Sequence, residues 1–147
     1  MLFRSGRDQG QTLGRLAAEI KKTIDGLADT PALDVERAAL GKAAGDVQAL
    51  LGTMMGKLAQ SVYHVGLQGN RILFALAELV IGWRLVVNAR VASGKLAAAT
   101  GDDKAFYQGK LAAARWYAKN VLPGIGLTKD LVAAGDLDLM ELPDEAL

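Results

Sequence analysis

The chain has 147 residues, a formal net charge of +1 and no cysteine. That length suits one domain with its own core and is short for two. The balanced charge names no polyanionic partner, and the lack of thiols excludes disulfides, thiolate metal sites and thiol catalysis while fitting a cytoplasmic protein. Half of the residues are apolar, yet only 5% are aromatic and 17 are glycine, so the core must come from close helix contacts. Composition therefore predicts an all-α fold. The opening Met1–Arg7 contains no apolar stretch of the kind a secretory signal requires.

In chain order, Leu13, Leu16, Ala17, Ile20, Ile24 and Leu27 recur at helical steps, which predicts a first helix from about Asp8 to Ala28. Asp29-Thr30-Pro31 ends it and starts the next, with Thr30 as N-cap and Pro31 at the first helical position. The second helix is predicted to run to about Tyr63. It carries Gly41, Gly45, Gly52 and Gly56, which with Ala38 and Ala59 fall within an arc of about 60° at 100° per residue. Each glycine costs a helix about 1 kcal/mol relative to alanine, so the stripe is expected to be buried against another helix backbone.

His64 to Asn70, with Gly66 and Gly69, reads as a connection. A third helix follows, from Asn70 to about Ala99. Its run from Ile72 to Val87 is almost wholly apolar, but Glu78 and Arg84 interrupt it and Asn88, Arg90 and Lys95 continue it as a polar stretch. That pattern predicts the central helix of a bundle and not a membrane span. Thr100-Gly101-Asp102-Asp103 forms a turn, a fourth helix runs from Lys104 to about Leu122, and Pro123-Gly124 breaks it. Thr128 to Ala134 supplies a short fifth helix or turn, closed by Gly135 as a left-handed cap. The expected architecture is an antiparallel bundle of four main helices over residues 11–135, followed by an extended acidic tail at 136–147. All seventeen Lys and Arg precede position 130, whereas the last twelve residues hold five acids and no base. The tail is read as either a solvated acidic end or a segment docked on basic surface.

Chemistry-bearing patterns are sparse. His64 has no carboxylate beside it in sequence and is expected to be a surface or capping imidazole. The five glutamates, Glu19, Glu36, Glu78, Glu141 and Glu145, include no Glu-x-x-His pair, which a di-iron bundle needs. No Gly-x-Gly-x-x-Gly or P-loop motif occurs, and the bases are too dispersed for nucleic-acid recognition. Glu78 is expected to be shielded and paired, with Arg71 as the nearest candidate. No catalytic, cofactor-binding or metal-ligating residue is assigned to the chain.

The run Ala114-Arg115-Trp116-Tyr117-Ala118, followed by Leu122-Pro123, resembles a signature near the carboxyl end of the larger bacterial acyl-CoA dehydrogenases. The tail Asp136-Leu137-Asp138-Leu139-Met140-Glu141-Leu142-Pro143 is similar to their last residues. Leu2-Phe3-Arg4-Ser5-Gly6-Arg7-Asp8-Gln9-Gly10 resembles the segment joining their catalytic core to an extra helical domain. Arg71–Glu78 and Ile81-Gly82-Trp83 resemble that domain's long central helix. The resemblance implies that residues 1–10 connect to a dehydrogenase core of the same parent chain, which binds FAD and oxidises acyl-CoA between its α and β carbons in fatty-acid β-oxidation. It also implies a homo-oligomer in which this domain shapes the acyl pocket or subunit contacts. The family's catalytic glutamate lies in a Phe-Glu-Gly-Thr type loop, and this chain has no such tetrapeptide, so none of the catalytic residues is carried over. The other class left open by the residues is an independent helical module that binds a protein or lipid partner.

Overall fold

Among the described residues five α-helices form where apolar residues recur at helical spacing, none of them with a side-chain cap bond, and Pro123 separates the last two. The computed structural model describes residues 10–140 and 142–146. Helix α1 spans Gln11–Asp25, α2 Asp34–Gln60, α3 Tyr63–Leu96, α4 Gly101–Asn120 and α5 Gly124–Ala134. Short connections fold α2, α3 and α4 back on one another. The all-α bundle and its short fifth helix are as expected. The expected start of the first helix at Asp8 lies outside the described residues.

Several boundaries differ from expectation. Thr30 makes no side-chain cap bond, and Pro31–Leu33 forms a 3-10 turn before α2 begins. That turn seats Leu33 in the core, 1% exposed. The expected connection at His64–Asn70 is helical instead: α3 begins at Tyr63, whose backbone N–H donates to Ser61 Oγ at 3.3 Å. Packing of His64 and Val65 against the bundle outweighs the propensity loss at Gly66 and Gly69. Gly135 is not a left-handed cap, having φ −62° and ψ 133°. The Lys57 ammonium donates to its carbonyl and ties the end of α5 to α2. In the tail, single 3-10 turns occupy Asp138–Met140 and Asp144–Ala146.

The core follows one register of α2. Leu33, Glu36, Leu40, Ala43, Val47, Leu50 and Met54 are all buried, alternating by three and four residues as a bundle helix requires. From α3 come Ile72, Ala75, Leu79, Val86 and Ala89, and both α2 and α3 touch every other helix. Centrality is thus shared between them. By length and composition alone α3 is apolar enough to cross a bilayer, but a third of its most apolar window is buried and it packs against its neighbours on several sides. Helix α4 approaches through small residues, Ala114 and Ala118.

Asp46 joins α2 to α5, accepting hydrogen bonds from Lys42 Nζ at 2.5 Å and Lys129 Nζ at 3.1 Å. Gly126 allows this approach: a Cβ there would lie 3.1 Å from Lys42 Nζ. The Lys42 ammonium, aided by Lys129, holds the Asp46 carboxyl below its ordinary pKa despite the opposing effect of burial. A folded-state pKa below the unfolded value, about 3.9, gives stability that is present above that value and lost as pH falls through the folded one. Asp46→Asn is therefore expected to destabilise the chain by about 1 kcal/mol at neutral pH, and the difference should close below about pH 4. Urea midpoints of both proteins at the two pH values test this. A gap of equal size at both would mean that the charge of Asp46 contributes nothing.

Candidate functional site

The signature run of α4 is engaged in packing. Ala114 and Ala118 are buried, and between them Arg115 reaches back to α2. Its Nε donates to Glu36 Oε1 at 2.5 Å and its Nη2 to the Ala32 carbonyl at 2.8 Å. Glu36 is 1% exposed, and its bond to Arg115 raises the guanidinium pKa further above its ordinary value. Two residues on, on another side of the helix, Tyr117 donates its hydroxyl to the Glu78 carbonyl at 3.3 Å, and burial, with the Glu78 charge, raises the phenol pKa. Leu122 seats over Gly82 of α3, where an added Cβ would lie 2.7 Å from Leu122 Cδ2. The run thus clasps α4 to α2 and α3. Trp116 points away, 60% exposed.

Other residues fall differently from expectation. His64 is 5% exposed on the first turn of α3 and is not a surface imidazole. Burial follows from the continuity of α3, which turns this position inward. Glu78 is half-buried and forms no ion pair with Arg71, which stands exposed; the shielded charge of the domain is Glu36. The glycine stripe is also not covered by any of the described residues. Gly45, Gly52 and Gly56 are exposed, and a Cβ at any of them would meet nothing within 4 Å. Glu36 was detectable in the sequence, since it occupies a core position of the register running from Leu33 to Met54.

Two depressions stand out among the described residues. An apolar groove of about 620 Å³ runs between α1 and α2, with Leu16, Ile20, Val47, Leu51 and Leu79 in its walls and Lys21 and Gln48 as its polar side chains. It lies beside the uncovered stripe at Gly41 and Gly45. A second cleft of about 520 Å³ lies between α1 and α3, where the charged Glu19, Lys22, Arg90 and Lys95 stand beside Thr23, Val87, Val91 and Gly94. A flavin needs an apolar slot for its ring system together with several donors for the ring edge and pyrophosphate. The groove offers too few donors for that set, and the residues present do not fit a flavin site. Among the described residues, no three His, Asp or Glu side chains gather as metal ligands.

The chain is 40% identical, over 95% of its length, to the broad-specificity linear acyl-CoA dehydrogenase FadE5 of Mycobacterium tuberculosis, of which it covers 24%. It is 30% identical, over 94% of its length, to a butyryl-CoA dehydrogenase of Syntrophomonas wolfei, covering 23% of that protein. A second butyryl-CoA dehydrogenase of the same organism is 37% identical over 53% of the chain. The chain thus spans about a quarter of the length of the first two relatives. The helical clasp of Arg115 and Leu122 lies within residues 16–143, over which the model of the family described as acetyl-CoA dehydrogenase C-terminal like matches, and the chain belongs to that family.

Proposed function

We propose that this chain is the non-catalytic accessory domain of an FAD-dependent, cytoplasmic acyl-CoA dehydrogenase, contributing to the acyl pocket's shape or to subunit contacts in its parent. The observation that carries this reading is the use of the signature run: Arg115, Tyr117 and Leu122 hold helices together. Meanwhile large apolar side chains such as Phe74, Ile81 and Trp116 stand uncovered, as expected of a surface made to meet more protein. The exposed face of α2 supports the subunit-contact part. Ala38, Gly41, Gly45, Gln48, Ala49, Gly52, Gly56 and Ala59 repeat the same spacing read from either end. Such self-complementarity suits a like helix laid antiparallel across a two-fold axis.

The purified chain, mixed with FAD and then desalted, is expected to retain no flavin and, given acyl-CoA, to reduce no electron acceptor. Stoichiometric flavin binding or turnover would overturn the accessory-domain reading. For the contact face, Gly52→Ala should stabilise the isolated domain by about 1 kcal/mol, since nothing occupies the space and alanine favours the helix. Gly52→Leu should weaken self-association in sedimentation equilibrium. Association unchanged by Gly52→Leu would remove this face from the subunit contact.

A further inference from the structure

Lys22 of α1 and Arg90 and Lys95 of α3 line the second cleft together, facing one carboxylate, Glu19. None of the three cations forms an ion pair with a described residue, although Lys21, Arg37, Lys42, Arg115 and Lys129 all do. The walls of the cleft are held at a set separation. Trp83 Nε1 donates to Thr23 Oγ1 at 2.7 Å, and Thr23 Oγ1 donates in turn to the Glu19 carbonyl at 3.0 Å, linking α3 to α1. Arg90 is also placed by shape. Its guanidinium lies against Gly26, where a Cβ would come within 2.9 Å of Nη1. A larger residue at position 26 would push the flexible guanidinium aside, while also pressing on the Lys22 carbonyl oxygen at 3.2 Å.

Like charges lining a shared cleft repel one another, and the repulsion is relieved by a counter-ion that meets several of them at once. A monovalent carboxylate neutralises one. An anion with two or more phosphate charges neutralises the set, and its oxygens accept charge-assisted hydrogen bonds from both ammonium and guanidinium groups. We propose that the cleft between α1 and α3 binds a multiply charged phosphate group through Lys22, Arg90 and Lys95, with Gly26 positioning Arg90. The phosphate could belong to a free phosphorylated molecule or to an anionic lipid headgroup. This inference does not depend on the accessory-domain reading.

Trp83, joined to the cleft wall through Thr23, serves as the reporter once the exposed Trp116, the only other tryptophan, is replaced in Trp116→Phe. Pyrophosphate titrated into this protein at constant ionic strength should change the fluorescence saturably. Arg90→Gln and Lys95→Gln should each weaken binding about tenfold, the effect of losing one charged hydrogen bond. Gly26→Ala should weaken it too while every charge remains. A response only to phosphatidylglycerol-containing vesicles, absent with phosphatidylcholine alone and lost in the same variants, would support the proposal with a headgroup as the source. A response matched by sodium chloride, or unaltered by the glutamine substitutions, would overturn it. Binding seen only after removal of residues 136–147 would also overturn it, because the acidic tail would then be the natural occupant.

Discussion

Replacing Arg115 by alanine is expected to destabilise the domain by about 2–3 kcal/mol, lowering the urea midpoint without changing the slope. The reason is the asymmetry of the pair. Glu36 is 1% exposed, whereas the Arg115 side chain keeps 41% of its exposure. Removing the arginine strands a carboxylate in the core, where Glu36 Oε2 already has no hydrogen-bond partner among the described residues. The partial exposure of Arg115 keeps the expected loss below that of a fully buried pair. Glu36→Leu should behave differently, because it removes the buried charge, continues the apolar register of α2 and leaves Arg115 free to turn toward water. Its expected effect is within about 1 kcal/mol of the parent. Adding Glu36→Leu to Arg115→Ala should recover most of the loss. An Arg115→Ala protein as stable as the parent, or a Glu36→Leu protein that is less stable than Arg115→Ala, would show that the pair does not hold α4 to α2 in this way.

Leu122→Ala is expected to destabilise by about 3 kcal/mol, through lost burial and the cavity left over α3. Leu122 is 2% exposed and packs on Gly82. The complementary change, Gly82→Ala, places a methyl 2.7 Å from Leu122 Cδ2 and 3.3 Å from its Cγ, so the leucine must move within a filled core, an overpacking worth about 1–3 kcal/mol. The two changes should compensate. With Leu122 cut to alanine, the methyl at position 82 enters vacated space and also favours the helix, so the double variant should be less destabilised than the sum of the singles. Residues in direct contact commonly show such coupling, about 0.5–3 kcal/mol. Strict additivity in the double-mutant cycle would mean that Leu122 does not lean on Gly82.

The helical class, the number of helices and the place of the proline break at Pro123 were legible in the sequence because they depend on neighbours within a turn or two. Apolar spacing from Leu13 to Leu27 and the fixed φ of proline each act locally, whereas the expected turn at Thr100–Asp103 is already helical from Gly101, so α4 starts three residues before the expected Lys104. The resemblance carried by Ala114–Ala118 and Leu122-Pro123 was legible for the same reason, as an ordered run of residue types. The roles of those residues were not. That Arg115 meets Glu36, separated by 79 positions, depends on how α4 docks against α2, and nothing local to either helix encodes it.

The glycine stripe divides local information from tertiary information most clearly. Its spacing along α2 is a property of the sequence, and the propensity loss implies a close approach by some backbone. Glycine contributes no apolar side chain to draw a helix toward it, so the docking of α2 is decided by the opposite register, Leu33 to Met54, which turns Gly45, Gly52 and Gly56 outward. His64 shows the same limit: two nearby glycines favour a loop locally, and contacts made by the rest of α3 extend the helix through them. By itself the sequence determined the helices, the family signature and the lack of its catalytic loop in this chain. Only the tertiary structure decided which faces are covered, which charge is buried and which cations share a cleft, because each depends on segments that folding brings together from distant parts of the chain.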